Sequence, residues 1–517
     1  MDFERFKASF TASAQGAAGG AGMLIPVWRD VLLDTDTPVS AFAKLRRGPF
    51  AFLLESAPAG SETWARYTFM GTEPRSAWRL RDGVVEDWTP DGGWHAARRP
   101  NDPLADLQAK IDAEPPLDVP ELGAFWGGAV GYFSYDIVRL IESLPSAPPR
   151  AGSVPDALFV FTRSLVIIDN LRAQARVVVS VLVPAGADEA ALRDLYEAAQ
   201  GDLNEMVTRL YTESPLPPLA LDTTTEPAAG VSTYDRETFM RDVDRIKEYI
   251  RAGDCFQALL ARRIELPYDF SSQSLYRTLR ALNPSPYMYH LILDGVELVG
   301  SSPELLVRVA DERVTVRPIA GTRKRGATAA EDAALREELL GDDKERAEHV
   351  MLVDLGRNDV GRIAEYGSVE VTDFMCVETY SHVLHIVSQV DGTVPVGMPA
   401  MDVFRATFPA GTMTGAPKVR AMEIIDELEP VRRGPYAGAV GYIASGGTRM
   451  DLAITIRTCV IADGVAAVQA GAGIVADSVP SLEWEETENK ARAMLTAIGR
   501  ARGARSAPSR SGAPSAA

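Results

Sequence analysis

The chain has 517 residues, of which 46% are apolar and 24% are charged, a composition typical of globular proteins with a sizeable core. The formal net charge of −18 disfavours nucleic acid and anionic membranes as partners, and an anionic substrate would need a local cationic pocket. Three cysteines without CxxC spacing argue against a disulfide framework and a zinc site, and with no signal-peptide or membrane-spanning pattern they predict a cytoplasmic protein.

The part of the chain before residue 213 is predicted to be rich in strands. Residues 1–23, with alanine and glycine concentrated at 15–22, are expected to be poorly ordered. Apolar patterns predict strands at residues 50–56, 66–70, 77–80, 84–88, 127–133, 165–169 and 176–182. Helical periodicity predicts helices at residues 39–46, 103–113 and 188–211.

A proline-rich and threonine-rich stretch, residues 213–232, is predicted to be a linker between an N-terminal segment, 24–212, and a C-terminal segment, 233–500. The second segment is predicted to contain helices at 236–251, 272–282 and 419–428, strands at 255–266 and 453–460, and a hairpin of 287–293 with 296–300. Residues 501–517 have the composition of a disordered tail. The irregular alternation of elements, with no βαβ rhythm, favours an α+β fold over a doubly wound sheet.

Two pairs of glutamates stand three residues apart in segments with a helical pattern. Glu345 and Glu348 form the first pair, Glu483 and Glu486 form the second, and Lys490 follows four residues after Glu486. Residues with this spacing share one face of a helix, where two carboxylates repel each other unless a cation lies between them. If the two helices face each other, they form an all-oxygen site suited to Mg²⁺. The alternative is that both are solvated acidic faces.

Several other segments contain residues suited to chemistry, although each has a structural explanation as well. His385 lies deep in an apolar run, where a histidine is more often part of the core than a catalyst. The glycine-bearing loop 411–418 precedes a helix whose N-terminus would attract an anion, but it also fits a plain turn. Residues 317–326 form a cationic turn, Arg457 lies within a predicted strand, and residues 471–473 read Gly-Ala-Gly.

Taken together, these segments resemble the chorismate-utilising enzymes and, within them, the anthranilate synthase component I family. The resemblance runs from about residue 24 to residue 500 and is densest between 300–304 (Gly-Ser-Ser-Pro-Glu) and 486–490 (Glu-Thr-Glu-Asn-Lys). Further landmarks are residues 355–359, 411–418, 438–442, 456–457 and 469–473. The resemblance implies two packed, largely antiparallel β-sheets flanked by helices, with the N-terminal segment contributing to the same sandwich.

The resemblance also implies roles for individual residues. It implies that Glu348 and Glu486 bind Mg²⁺ directly. Glu345 and Glu483 are implied to bind the water molecules that the ion carries. It gives Glu304 the role of general acid for the departing ring hydroxyl and associates His385 with the loss of pyruvate. Around the substrate, chorismate, it places Tyr442, Arg457, Gly471, Ala472, Gly473 and Lys490, with Gly321, Thr322 and Thr412 lining the same pocket.

The branch of the family is indicated by two positions that lack lysine. Isochorismate-forming and salicylate-forming relatives carry a lysine base where this chain has Gln257, and aminodeoxychorismate synthases carry a lysine nucleophile where it has Ala320. No protein nucleophile remains at either position, which favours direct attack by ammonia and formation of anthranilate and pyruvate in tryptophan biosynthesis. Aminodeoxychorismate synthase component I and a non-catalytic, tryptophan-sensing subunit are the alternatives.

A partner and an inhibitor are also implied. None of the three cysteines lies in the Gly-x-Cys-x-Gly motif of a glutamine amidotransferase, so ammonia is expected from a separate glutamine amidotransferase subunit. Two segments resemble the family's site for tryptophan as feedback inhibitor. The residues expected there are Leu54, Glu55, Ser56, Pro284, Tyr287 and Met288.

Overall fold

The structure is a computed structural model that describes residues 1–14, 22–56, 66–219, 224–380 and 383–503. The helices are α1 (Phe3–Ala14), α2 (Pro38–Leu45), α3 (Pro103–Asp112), α4 (Glu189–Leu210), α5 (Arg236–Ala252), α6 (Ser272–Leu282), α7 (Ala329–Gly341), α8 (Asp343–Gly361), α9 (Ala400–Thr407), α10 (Lys418–Leu428) and α11 (Pro480–Gly503). Within the described residues, none of these helices is both long enough and apolar enough to cross a membrane.

The strands fall on both sides of the segment predicted to be a linker. The first half contributes β1 (Met23–Leu32), β2 (Phe50–Glu55), β3 (Tyr67–Thr72), β4 (Ser76–Arg81), β5 (Val84–Thr89), β6 (Gly93–Arg98), β7 (Gly128–Phe133), β8 (Ala157–Phe161), β9 (Ser164–Asp169) and β10 (Gln174–Val183). The second half contributes β11 (Val231–Ser232), β12 (Gln257–Pro267), β13 (Tyr287–Leu293), β14 (Val296–Ser302), β15 (Leu305–Ala310), β16 (Arg313–Val316), β17 (Ile319–Lys324), β18 (Glu370–Thr379), β19 (Val383–Thr393), β20 (Gly415–Ala416), β21 (Ala439–Ala444), β22 (Met450–Ile454), β23 (Thr458–Ala462) and β24 (Val465–Ile474).

These strands form two 12-stranded sheets. The first has the order β1-β10-β9-β3-β2-β13-β14-β23-β24-β12-β11, with β20 paired to β12. The second has the order β17-β19-β16-β15-β22-β21-β7-β8-β4-β5-β6, with β18 paired to β19. Neighbouring strands are antiparallel, for example β2 with β13 and β7 with β21. The α+β fold with two largely antiparallel sheets is therefore confirmed, and strands from both halves of the chain share each sheet.

The core lies in three layers because each sheet buries both of its faces. Phe52 and Leu291 of the first sheet and Leu158 and Val440 of the second belong to one buried cluster, which places it between the sheets. The outer face of the first sheet is covered by α1, α2, α4, α6 and α11, and that of the second by helices including α3, α8 and α9. Strands buried on both faces have nearly continuous apolar sequences, as in β8.

The pentapeptide Gly-Ala-Val-Gly-Tyr occurs twice, at residues 128–132 and 438–442, and the two copies lie on neighbouring strands of the second sheet. Gly131 of β7 pairs directly with Gly441 of β21. A Cβ at Gly131 would lie 2.0 Å from the Leu158 carbonyl oxygen, and a Cβ at Gly441 would lie 2.1 Å from the Asp451 carbonyl oxygen. The two glycines are therefore explained by close backbone approach and not by an internal repeat.

The beginning of the chain differs from the expectation of poor order at residues 1–23. Residues 3–14 form α1, which buries Phe6 and Phe10 against the core, and β1 begins at Met23 and pairs with β10. Residues 15–21 lie outside the described part of the chain. At the other end, α11 continues through Gly503, and residues 504–517 of the predicted tail also lie outside it.

The single strand predicted at residues 453–460 is also wrong. The chain leaves the second sheet at Ile454, the end of β22, and enters the first sheet at Thr458, the start of β23. Arg457 lies in this crossing with a φ of +49°. A second crossing runs beside it in the opposite direction, from β14 in the first sheet through Pro303 and Glu304 to β15 in the second.

Candidate active site

The two crossings between the sheets bring Glu304 and Arg457 together. The Ser301 N–H donates to the Arg457 carbonyl oxygen at 3.2 Å, and the Ile454 N–H donates to the Glu304 carbonyl oxygen at 3.0 Å. Glu304 is 7% exposed, and burial raises its carboxyl pKa to about 7, against the opposing effects of the Thr412 hydroxyl, Arg457 and Lys490. Glu304 is thus partly protonated at neutral pH and suited to act as an acid.

His385 lies on β19 opposite Thr322 of β17. The register of this ladder shifts at Gly321, whose φ is +65°, and the His385 Nδ1 lies 2.9 Å from the Gly321 carbonyl oxygen and 3.1 Å from the Thr322 Oγ1. Burial, with a smaller effect of Arg457, lowers the His385 pKa to about 4. Because a carbonyl oxygen only accepts, Nδ1 carries the proton of the neutral ring and Nε2 keeps a free lone pair.

The two predicted carboxylate pairs lie on α8 and α11, near each other. Asp342 caps the start of α8 by accepting hydrogen bonds from the Lys344 and Glu345 N–H groups. Burial, then Glu345 and to a smaller extent Glu486, raise the Glu348 pKa. Burial also raises the Glu483 pKa, with Glu486 adding to the effect. Carboxylates from both helices therefore lie within electrostatic range of one another.

The first turns of α11 are fastened to β12 of the first sheet. Arg262 lies over the Trp484 ring at 3.9 Å, and its Nε donates to the Thr487 hydroxyl at 2.7 Å. Trp484 and Thr487 are three residues apart and face the sheet, so the neighbouring face presents Glu483, Glu486 and Lys490.

Lys490 joins this helix to the glycine-bearing end of β24. Its ammonium group donates to the Gly471 carbonyl oxygen at 2.9 Å and pairs with Glu486 at 2.7 Å. The Gln257 side chain packs directly on the backbone of β24 here, since a Cβ at Gly473 would lie 2.5 Å from the Gln257 Nε2. The site therefore offers a cation, Lys490, beside a strand whose glycine admits Gln257.

Within the described part of the chain, a buried polar atom at the site, the Oε1 of Gln257 next to Gly473, has no hydrogen-bond partner. Buried polar atoms are nearly always paired, so this oxygen is suited to a polar ligand or to water. Within the described residues, no three histidine, cysteine, aspartate or glutamate side chains gather closely enough to hold a metal ion. Glu345 is paired with Arg323 at 3.1 Å, just as Glu486 is paired with Lys490.

Comparison with known proteins identifies the family. The family profile described as chorismate binding enzyme matches residues 53–496. Anthranilate synthase component 1 of Pseudomonas putida is 48% identical over 480 residues, which cover 92% of this chain and 95% of that protein. The chain belongs to the chorismate-binding enzyme family, in its anthranilate synthase component 1 branch. The same-named protein of Aquifex aeolicus is 46% identical over 92% of this chain and 94% of its own length.

Solved structures agree with this assignment. Anthranilate synthase component I from Streptococcus pneumoniae superposes with a TM-score of 0.73 at 36% identity, over 90% of this chain and 99% of that chain. The menaquinone-specific isochorismate synthase of Escherichia coli superposes with a TM-score of 0.65, but at 18% identity it supports the fold alone. The two-sheet architecture is therefore that of other chorismate-binding enzymes.

Most of the residues predicted to act on the substrate lie together in this family member. Electrostatic effects or hydrogen bonds connect Glu304 to Thr412, Arg457 and Lys490, and His385 to Gly321, Thr322 and Arg457. Gly471 is bonded to Lys490, and Ala472 and Gly473 follow it along β24.

Tyr442 is the exception among the predicted substrate residues. Its ring stacks on Phe125 at 4.2 Å, and it lines a cavity whose lining residues do not include Lys490. Tyr436, which the sequence did not single out, is 6% exposed and lies within electrostatic range of Glu486. It follows Gly434-Pro435 in a loop, and no periodic pattern points to such a position.

The cavity that Tyr442 lines has a volume of about 420 Å³. Five of the six residues predicted for the tryptophan site line it, namely Leu54, Glu55, Ser56, Tyr287 and Met288, whereas Pro284 is not among the lining residues. The Glu55 carboxylate accepts hydrogen bonds from Tyr276 at 2.8 Å and from Arg280 at 2.6 Å, both on α6. The two motifs are far apart in sequence and meet because β2 pairs with β13.

Proposed function

We propose that this protein is the aminating subunit of anthranilate synthase and converts chorismate and ammonia to anthranilate, pyruvate and water. It would be a Mg²⁺-dependent lyase of tryptophan biosynthesis, act in the cytoplasm, and receive its ammonia from a glutamine amidotransferase subunit. Its relatives bear the name component 1, which supports a second component.

The residues at positions 257 and 320, neither of which is a lysine, are the observation that carries this proposal. Gln257 lies against Gly473, and Ala320 lies between Ile319, whose N–H interacts with the Glu304 carboxyl, and Gly321, which holds His385. Both positions therefore belong to the site, and neither side chain can act as a nucleophile or activate water. An external amine such as ammonia is then the nucleophile that the site is suited to use.

The chain's own residues divide the chemistry into two steps. Glu304, partly protonated at neutral pH, donates a proton to the ring hydroxyl, which leaves as water while ammonia bonds to the ring. His385, neutral with a free Nε2, then takes the ring proton as the bond between the ring and the enolpyruvyl oxygen breaks. The departing enolpyruvate takes up a proton and becomes pyruvate. Arg457 and Lys490 supply the positive charge that a dicarboxylate substrate needs in a protein of net charge −18.

The proposal of Mg²⁺ rests on the carboxylate oxygens of α8 and α11. This ion takes oxygen ligands, keeps several waters and commonly needs only one or two protein carboxylates. Glu348 and Glu486 would hold it, while Glu345 and Glu483 would hold its waters. When bound, the ion would supply positive charge for a carboxylate of the substrate.

Tryptophan is proposed as a feedback inhibitor that occupies the 420 Å³ cavity. Leu54, Tyr287 and Met288 offer apolar surface, whereas Glu55 and Ser56 offer polar groups at its edge. Because neither Lys490 nor Glu486 is among the residues that line the cavity, inhibition requires that tryptophan favour a state with lower affinity for chorismate.

The experiment that tests the proposal is an assay of the purified chain with chorismate, Mg²⁺ and an ammonium salt. Anthranilate is detected by its fluorescence and pyruvate by a coupled assay. Equal amounts of both are expected. An aminated product without pyruvate would indicate an aminodeoxychorismate synthase, and tryptophan binding without any turnover would indicate a non-catalytic sensing subunit.

A further inference from the structure

One side chain, Tyr380, lies between the 420 Å³ cavity and the candidate active site. On one side Tyr380 lines the cavity, together with Glu378 and Arg317. On the other side its ring meets the His385 ring edge to face, with centroids 5.3 Å apart and planes at 72°. Tyr380 is 7% exposed, and it lies within electrostatic range of Glu304 and Arg457.

The position of Tyr380 is fixed from several directions. Its hydroxyl donates to the Glu378 Oε2 at 3.0 Å, and Arg317 binds the same carboxylate with two nitrogens, one of them at 3.2 Å. Its backbone is held as well, because the Tyr380 N–H donates to the Val383 carbonyl oxygen at 2.8 Å and Arg325 donates to the Tyr380 carbonyl oxygen at 2.9 Å. Hydrogen bonds to both its side chain and its backbone therefore fix the Tyr380 ring against His385.

Hydrogen bonds to the described part of the chain hold the His385 ring at one nitrogen. The Nδ1 is bound at Gly321 and Thr322, which fixes that nitrogen but leaves the ring able to tilt about it. The edge-to-face contact with Tyr380 restricts this tilt and thereby the direction of Nε2. A proton transfer depends on that direction, since misplacement by about 1 Å can cost about 10²-fold in rate.

We infer that Tyr380 is a positioning residue for His385, and that the ion pair of Glu378 with Arg317 makes this position sensitive to what occupies the cavity. The inference rests on the proposed function, in which His385 promotes the second step. Arg317, Glu378 and Tyr380 line the cavity and are within reach of a ligand there, whereas His385 is not among the lining residues. The coupling element is therefore a chain of contacts from the cavity through Tyr380 to the histidine.

The first test measures which products accumulate. Tyr380→Leu removes the ring, whereas Tyr380→Phe keeps the ring and removes only the hydroxyl. We expect Tyr380→Leu to raise the ratio of aminated, pyruvyl-bearing intermediate to anthranilate at least tenfold, with the KM for chorismate within about twofold. Tyr380→Phe, which keeps the ring, should show the same product ratio as the wild type. Tyr366→Leu, at a fully exposed tyrosine, is the matched control.

A merely structural role of Tyr380 would lower total turnover and leave this product ratio unchanged, so an unchanged ratio in Tyr380→Leu overturns the inference. It is equally overturned if Tyr380→Phe behaves like Tyr380→Leu, because the ring contact would then be irrelevant. If the wild-type chain forms no anthranilate, the proposed function fails, and the second test decides the inference separately.

The second test observes His385 directly by NMR of protein labelled with ¹³C-histidine. The chain has five histidines, and the His385 signal is identified by its loss in His385→Gln. We expect L-tryptophan to shift this signal in the wild type and in Tyr366→Leu but not in Glu378→Gln, while calorimetry shows binding to all three. No shift in the wild type at saturating tryptophan, or no binding at all up to millimolar concentration, overturns the inference, as does a full shift in Glu378→Gln.

Discussion

The Nδ1 of His385 lies 2.9 Å from the carbonyl oxygen of Gly321. This hydrogen bond places the proton of the neutral imidazole on Nδ1 and leaves Nε2 as a base. Because burial lowers the His385 pKa to about 4, the ring is neutral over the whole physiological pH range. The neutral ring is therefore able to accept a proton, whereas Glu304 with its raised pKa is suited to donate one.

Replacing the histidine should separate the two steps. In His385→Met we expect amination to continue and elimination to slow by about 10²-fold or more, within the usual range of general acid–base catalysis. An aminated intermediate that still carries its pyruvyl group should accumulate, and chromatography of the reaction mixture measures it. His95→Met, at an exposed histidine, should behave as the wild type. If His385→Met leaves chorismate unconsumed, the histidine acts during amination and the assignment of the two roles is wrong.

Replacing the acid should stop both steps. Glu304→Gln cannot donate the proton that the leaving hydroxyl needs, so we expect neither chorismate consumption nor intermediate, with activity lower by about 10² to 10⁴. The wild-type rate, compared at constant free ammonia, should fall as the pH rises through about 7, because Glu304 must be protonated and its pKa is raised to about 7.

The pH dependence of Glu304→Gln tests whether Glu304 causes the fall in the wild-type rate above about pH 7. Any activity that remains in Glu304→Gln should lack the decline near pH 7, since the amide does not titrate there. A variant with the same decline as the wild type would assign that titration to another group.

The carboxylates of α8 and α11 are tested through metal binding. Glu348→Ala and Glu486→Ala should remain folded, become nearly inactive and lose their response to added Mg²⁺, because each removes a proposed ligand. Glu345→Ala and Glu483→Ala should lose less, as residues that act through waters. Glu485→Ala, an exposed glutamate on the same helix, removes the same charge and should keep full activity. Mg²⁺ binding by calorimetry gives a readout besides activity, and full activity in excess chelator contradicts the site.

The inhibitor site is tested by the response to tryptophan. Ser56 and Met288 line the cavity, and neither is among the residues grouped with His385 or Lys490. Replacement of Ser56 by alanine or of Met288 by threonine should raise the inhibition constant for tryptophan about tenfold, which corresponds to about 1.4 kcal/mol, with the uninhibited rate within about twofold. Ser146→Ala, at an exposed serine, is the control. An unchanged tryptophan response in both cavity variants shows that tryptophan acts elsewhere.

The local patterns of the sequence predicted much of this structure. The spacing of Glu345 with Glu348 and of Glu483 with Glu486 is visible in the chain because a helix fixes which residues share a face. The hairpin of β13 and β14 follows from Asp294-Gly295 between apolar runs. Strand β8 was missed because a short run that is apolar on both faces resembles a buried helix as much as a strand.

Features that depend on contacts between residues far apart in the chain could not be predicted from local sequence patterns. The break at Arg457 follows from the transfer of the chain between sheets, while the apolar pattern of residues 453–460 continues across it. The sequence of α1 has no strong helical pattern. The helix is stabilised by packing on α4 and β1, which buries Phe6. Tyr442 and Tyr436 are six residues apart, and only the packing of β21 shows that Tyr442 faces the cavity while Tyr436 lies near Glu486.

A chain that aminates chorismate by itself needs only ammonia as its nitrogen source, and its two products can be measured directly. The purified chain is incubated with chorismate and Mg²⁺, either with an ammonium salt or with glutamine, and anthranilate and pyruvate are quantified over a range of pH. We expect both products in equal amounts from ammonium, with a rate that follows the concentration of free ammonia after correction for Glu304, and neither product from glutamine. Robust glutamine-dependent synthesis by the chain alone, or no anthranilate from ammonium, contradicts this account.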